Sequence, residues 1–244
     1  MSVENDLGLE VFLDLEASWA TFSSDEYFVH TDGTLTWKLR EDLDRYRAII
    51  EATKPEVIVE AGTKFGGSAR WFKSLGLDVI TVDIDGTYSV ETRRDHPDIH
   101  WIIGDTQDPA VLDCVVDLID GRRTMVSLDS EHATPHVVAE IALYGPLVTP
   151  GCYLVVEDGI FDLIEPERAH LGGARIPAEG GPLRAIAATL AQDSAEWKRD
   201  TTIEAMSARS YHPAGFWRRV EPKAVAPRKA TARKAAKATP ASAT

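Results

Sequence analysis

Cysteine is almost missing from this sequence, with only Cys114 and Cys152 among 244 residues. Neither sits in a C-x-x-C or a Cys/His spacing, which excludes a disulfide framework and a zinc site and suits a reducing cytoplasm. No apolar run approaches the ~18 residues of a membrane span. The acidic N-terminus, MSVENDLGLEVFLDLE, lacks the basic-then-apolar pattern of a signal peptide. Net positive charge is lacking too: 26 Lys and Arg face 39 Asp and Glu, giving −13, which argues against a specific nucleic-acid partner. The dinucleotide fingerprint G-x-G-x-x-G is absent, as is any internal repeat.

What is present is an alternation of strand-like and helix-like segments, enough for one α/β domain with additions. Residues 1–30 are weakly patterned, with Leu9, Val11, Phe12 and Leu15 spaced for a short amphipathic helix. Residues 31–37 are turn-rich. Residues 39–55 place Leu43, Tyr46, Ile49 and Ile50 on one helical face and end at Pro55. Glu56–Glu60 is the first strand, and it runs into Gly62, Gly66, Gly67 and Ser68. Glycines at a strand-to-helix turn let a ligand approach the backbone, and Ser68 is placed to cap the helix that follows. The second strand ends at Asp83, where an acid can take the hydroxyls of a ribose or simply begin a turn. The third ends at Gly104-Asp105, where Asp105 can receive an adenine amino group or cap the next helix, expected over 109–118.

Residues 126–162 are the stretch around which the rest is organised. They read as strand, helix, strand, with Asp129 at one strand tip and Glu157-Asp158 at the other, roughly the 30 residues a strand–helix–strand unit needs. Ligands of an open α/β sheet bind beyond the carboxyl ends of its strands. Asp129, His132, Glu157 and Asp158 are therefore expected in one crevice, and several carboxylates there call for a hard divalent cation, Mg2+ or Ca2+. A Gly-rich loop over 163–181 follows, carrying Arg168, His170 and Arg175 as candidate substrate contacts. A helix from Pro182 and two late strands complete the domain. The final segment, 221–244, holds six basic side chains against one acid and has the composition of a disordered tail.

Three pieces carry a family resemblance: Glu60-Ala-Gly-Thr-Lys-Phe-Gly-Gly-Ser68, Asp129-Ser-Glu-His132-Ala-Thr-Pro-His136-Val137, and Gly151-Cys-Tyr-Leu-Val-Val-Glu-Asp158. Over roughly residues 35–220 the chain resembles the cephalosporin hydroxylase/rhamnosyl O-methyltransferase family. That resemblance implies a doubly wound, mostly parallel seven-stranded Rossmann-like methyltransferase sheet with an antiparallel edge. It also implies S-adenosylmethionine and Mg2+ as cofactors, a hydroxyl acceptor on a sugar, glycoside or other small molecule, and an oligomeric habit. By the same resemblance Glu60, Gly62 and Ser68 would line the methionine end of the cofactor, Asp83 would hold the ribose, and Asp105 would lie near adenine. Asp129, Glu157 and Asp158 would bind Mg2+, and His132 would be the general base.

The expected organisation is an N-terminal helical cap (1–54), a methyltransferase domain (55–220) and a basic tail (221–244). Two other readings compete. A non-haem iron hydroxylase would draw on Asp129, His132 and His136, but it leaves the glycine turn, Asp83 and the Glu157-Asp158 pair without a role. A non-catalytic S-adenosylmethionine-binding protein would have no reason to keep His132 and every acid.

Overall fold

Val57–Ala61 (β3) is a run of β-branched residues with a glutamate and alanine at its end, and all five are buried. A strand buried on both faces belongs in the middle of a parallel sheet, and β3 takes that place. In the computed structural model the described residues are 7, 14, 17, 18, 28–163 and 180–221. The strands after β3 are β4 (Asp78–Asp83), β5 (His100–Ile103), β6 (Thr124–Leu128), β7 (Tyr153–Val156), β8 (Trp197–Arg199) and β9 (Phe216–Arg219). They form a seven-stranded sheet in the order β5-β4-β3-β6-β7-β9-β8. The pairs from β5 to β7 are parallel, and β9 is antiparallel to both β7 and β8. The doubly wound sheet with late antiparallel pairing is as expected.

The chain first winds outward from β3 to β4 and β5, then returns to lay β6 on the other side of β3. The crevice beyond β3 and β6 is therefore the topological switch point, where such sheets bind ligands. The helices are α1 (Arg40–Thr53), α2 (Gly67–Ser74), α3 (Val90–Asp95), α4 (Pro109–Ile119), α5 (Thr134–Tyr144), α6 (Pro182–Ala188) and α7 (Thr201–Glu204). Tyr46, Ile49 and Phe72 from α1 and α2, and Val137, Ile141 and Tyr144 from α5, are buried in the core with the strand residues.

Three expectations need correction or lie out of reach. Part of the N-terminal cap is a hairpin, not helix: β1 (Phe28–Thr31) and β2 (Thr34–Leu39) pair antiparallel. Asp32 and Gly33 between them both have positive φ, 48° and 85°, the Asp-Gly turn whose twist matches that of its strands. Ser68 is not a cap, because α2 begins one residue earlier, behind Gly66. The amphipathic segment around Leu9–Leu15, the loop residues Arg168, His170 and Arg175, and the tail from residue 222 lie outside the described residues. Among the described residues no helix is long and apolar enough to cross a membrane, and Cys114 and Cys152 are both free.

Candidate active site

The strand register assembles the site. Ala61 pairs with Val82 on one side and Leu128 on the other, and Leu128 pairs with Val156. The next residues, Gly62, Asp83, Asp129 and Glu157, therefore stand side by side at the carboxyl end of the sheet. A cavity of about 930 Å³ opens there, lined among others by Gly62, Ser68, Asp83, Asp105, Asp129, His132 and Asp158. That is near the upper end of the ~300–1,000 Å³ usual for ligand pockets.

Asp129, His132 and Asp158 form one cluster whose ligand atoms all lie within 4.8 Å of one another. His132 Nε2 is 3.5 Å from Asp129 Oδ1 and 3.4 Å from Asp158 Oδ2. This nitrogen is buried and makes no hydrogen bond among the described residues. Asp158 reaches the cluster because its backbone is left-handed, φ 56°, a conformation Asp tolerates better than most residues. The backbone N–H of Asp158 donates to His212 Nδ1 at 3.0 Å, and the bend leads into a single 3-10 turn, Gly159–Asp162.

Glu157 is placed differently from Asp158. Successive strand residues face opposite sides, and Glu157 turns into the protein, 1% exposed. Its Oε1 accepts from Tyr46 Oη at 2.6 Å and from Ser127 Oγ at 2.5 Å. Its Oε2 accepts from Lys38 and lies 3.1 Å from His212 Nε2. Lys38, on β2, also donates to Asp129 Oδ2 at 2.7 Å. Of the expected acids, Asp129 and Asp158 thus cluster with His132, while Glu157 is bonded to the buried Lys38 ammonium that also bonds Asp129.

These placements set the charges. Burial disfavours the Lys38 ammonium, but the charges of Asp129, Glu157 and Glu60 outweigh that and hold it above the usual lysine value. Burial also works against an ionised Asp129, and Lys38 and His132 overcome it, lowering its pKa. Asp158 is pushed up to about 7 by burial and by the charge of Asp129, against the pull of His132 and His212. Burial opposes the charge on His132, yet Asp129, Asp158 and Glu131 raise it to about 9.

The cofactor-side residues also divide. Asp83 sits at the cavity wall with Oδ2 accepting from the backbone N–H groups of Thr63 and Lys64, at 2.9 and 2.7 Å. Its Oδ1 accepts from the N–H of Asp85 at 2.9 Å. Ile84, directly after it, lines the same cavity while 73% exposed, an apolar surface of the kind a purine covers. Asp105 accepts from the N–H of Gln107, and the cap of α4 is instead Asp108. Glu60 does not line the cavity. It is fully buried below, where Oε2 accepts from Thr81 Oγ1 at 2.7 Å and Oε1 has no partner among the described residues. Burial pushes Glu60 up to about 7 against the opposing charge of Lys38.

The glycines of the turn are required by this chain's own packing. A Cβ on Gly62 would lie 1.9 Å from the carbonyl oxygen of Asp129, and one on Gly67 would lie 2.2 Å from that of Leu35 in the hairpin. The turn thus locks β2 and the β6 tip against the end of β3.

The competing iron arrangement of two histidines and one carboxylate is not what the described residues form. His136 Nε2 faces Glu140 Oε1 at 3.2 Å, and its Nδ1 is 2.7 Å from Gln107 Nε2. Sequence reasoning missed Lys38, Tyr46, Ser127 and His212, none of which stands in a motif.

Comparison with known proteins agrees with this fold. Residues 25–220 match the family described as Rhamnosyl O-methyltransferase/CmcI. The rhamnosyl O-methyltransferase of Mycobacterium tuberculosis (strain H37Rv) is 30% identical over 193 residues, covering 75% of each chain. An 8-demethyl-8-alpha-L-rhamnosyl tetracenomycin-C 2'-O-methyltransferase of Streptomyces olivaceus is 32% identical over 93 residues, 38% of this chain and 24% of that one. A solved structure of CmcI with Mg and SAM superposes with a TM-score of 0.58 at 19% identity, covering 81% of this chain and 79% of that one, which shows the same fold. On the extent of the family match and the identity to the mycobacterial enzyme, the chain belongs to the rhamnosyl O-methyltransferase/CmcI family.

Proposed function

We propose that this O-methyltransferase family member moves the methyl group of S-adenosylmethionine to a hydroxyl of a sugar or glycoside, with Mg2+ assisting. The observation that carries the reading is the placement of Asp129, His132 and Asp158 in the same cavity as Gly62, Asp83 and Asp105. Two carboxylates facing one imidazole suit a hard divalent cation. When bound, S-adenosylmethionine supplies an electrophilic methyl group, and Mg2+ supplies a Lewis acid that lowers the pKa of an acceptor hydroxyl.

The chain's own residues would do the rest. Asp129 and Asp158 would hold the cation, with Lys38 fixing Asp129 from behind and tying it to Glu157. Asp83 would receive the ribose hydroxyls on the lone pairs its turn leaves open, and Asp105 would face the base. Glu60, buried behind the cavity wall, would act on the methionine ammonium through its charge and through Ser68, which lines the cavity. His132 would take the acceptor proton at Nε2. Asp129, Asp158 and Glu131 hold the imidazole up to about 9, and a cation on Asp129 and Asp158 would offset that charge and favour the neutral, basic form. Holding acceptor oxygen, methyl and sulfur in line then supplies much of the acceleration.

The sugar acceptor rests on the names of the rhamnosyl relatives. The cytoplasm is the proposed compartment, supported by two free cysteines, and an oligomer remains the expectation from resemblance.

The test is calorimetric titration of the protein with S-adenosylmethionine, with and without Mg2+. Wild type should bind in the micromolar range. Asp83→Asn, which keeps one acceptor for the Thr63–Lys64 turn, should weaken binding at least about ten-fold, or 1.4 kcal/mol. No heat at millimolar cofactor would overturn the assignment.

A further inference from the structure

Two acids that line the cavity are each followed by a hydroxyl residue: Asp105 by Thr106 beyond the end of β5, and Asp129 by Ser130 beyond the end of β6. Both hydroxyls are held by one atom. Thr106 Oγ1 donates to Glu140 Oε1 at 2.6 Å, and Ser130 Oγ donates to the same oxygen at 2.5 Å. His136 Nε2 stands 3.2 Å from it, and 3.3 Å from each hydroxyl. Glu140 is 1% exposed in the middle of α5, and Tyr144, one helical turn on, donates its hydroxyl to the Thr106 carbonyl at 2.9 Å. The helix therefore grips the Asp105 loop through Thr106 and Gln107 and the Asp129 loop through Ser130. Thr106, Ser130 and His136 also line the cavity.

We infer that Glu140 is a positioning residue that couples the two halves of the site. Its single oxygen fixes the spacing between the loop that carries Asp105 and the loop that carries Asp129, so ordering one loop orders the other. A ligand that settles against Asp105 should thereby prepare Asp129 and Asp158 for a cation, and the reverse must hold by linkage. The inference rests on the proposed cofactor and cation. A carboxylate that merely filled a polar gap in the core would support both loops without linking their occupancy.

The experiment is a binding cycle by calorimetry: S-adenosylhomocysteine titrated with and without Mg2+, and Mg2+ titrated with and without S-adenosylhomocysteine. Wild type should show each ligand tightening the other by at least about five-fold, the lower end of ordinary coupling. Glu140→Gln should bring that factor below about two. Thr106→Val and Ser130→Ala each remove one tether while leaving Glu140 other donors, so they carry the test if Glu140→Gln does not fold, and each should reduce the factor. Coupling that is absent in wild type, or unchanged in all the variants while affinities fall, overturns the inference and leaves the functional reading intact. Failure of wild type to bind S-adenosylhomocysteine at all removes both.

Discussion

Lys38 Nζ lies 2.7 Å from Asp129 Oδ2 with the lysine 1% exposed, so a charge from the N-terminal hairpin is buried against the acid at the tip of β6. The same ammonium bonds Glu157. Removing one partner of a buried pair leaves an uncompensated charge, at roughly 3–5 kcal/mol. Lys38→Met should therefore destabilise the metal-free protein by about that amount, read as a shift in urea midpoint. Added Mg2+ should recover part of the loss, because a cation that binds only the folded site stabilises it. A variant within about 1 kcal/mol of wild type without Mg2+ would show that the surrounding hydrogen bonds, not the ion pair, hold the two acids.

His132 gives a second test. Its buried Nε2 faces both Asp129 and Asp158. His132→Ala should lower kcat by about 10²–10⁴, the range for loss of a general base, while leaving the affinity for S-adenosylhomocysteine within about two-fold. A variant that keeps more than a tenth of wild-type kcat would reassign the proton to another acceptor.

Which parts were legible in the sequence follows from how local each signal is. The β-branched runs Val57–Val59, Val79–Val82 and Leu154–Val156 announce buried strands within a few residues, and the acids at their tips follow directly. The Asp32-Gly33 turn is equally local, although the pattern around it announces a turn and not the hairpin. The partners of Glu157 were not legible. Lys38 is 119 residues away and Tyr46 is 111; the first follows a stretch that reads only as turn-rich, and the second reads only as part of an apolar helical face. Glu140 was hidden for a related reason, since helical periodicity marks the apolar face and carries no information about a buried carboxylate. Adjacency in sequence does not by itself give the separate placements of Glu157 and Asp158. The pleat sends neighbours to opposite sides, and only the left-handed bend at Asp158 brings that residue back.

Glu60 predicts a pH dependence whose sign can be worked out. Its carboxyl is raised from 4.5 to about 7 in the folded protein, chiefly by burial. The folded state then binds the proton more tightly than the unfolded chain, so this group favours folding below about 4.5 and loses that contribution as the pH rises to about 7. At 1.36 kcal/mol per pH unit the ionised side chain costs roughly 3 kcal/mol above that range. Glu60→Gln should therefore raise the urea midpoint at pH 8 and change it little near pH 4.5, while weakening S-adenosylmethionine binding. Equal stabilisation at both pH values would point to packing rather than ionisation.

Gly62 provides the sharpest test of how the site is assembled, because an internal control exists. Gly62 and Gly76 both have positive φ, 96° and 87°, so alanine strains the backbone at either position. They differ in surroundings: a Cβ at Gly76 would meet nothing within 4 Å, whereas one at Gly62 would lie 1.9 Å from the Asp129 carbonyl. That carbonyl belongs to the residue whose N–H is bonded to Ala61 O at 2.7 Å, so Asp129 cannot yield without breaking the end of the β3–β6 ladder. Gly76→Ala should cost about 1 kcal/mol of stability and leave Mg2+ and S-adenosylhomocysteine binding as in wild type. Gly62→Ala should cost more, and should weaken both ligands together, since the displaced tip carries Asp129 while the displaced turn carries the backbone that Asp83 holds. If the two variants bind alike, the close approach of Gly62 to Asp129 is a packing detail, and the geometry of the acid cluster is set from the β7 side, through Asp158 and His212.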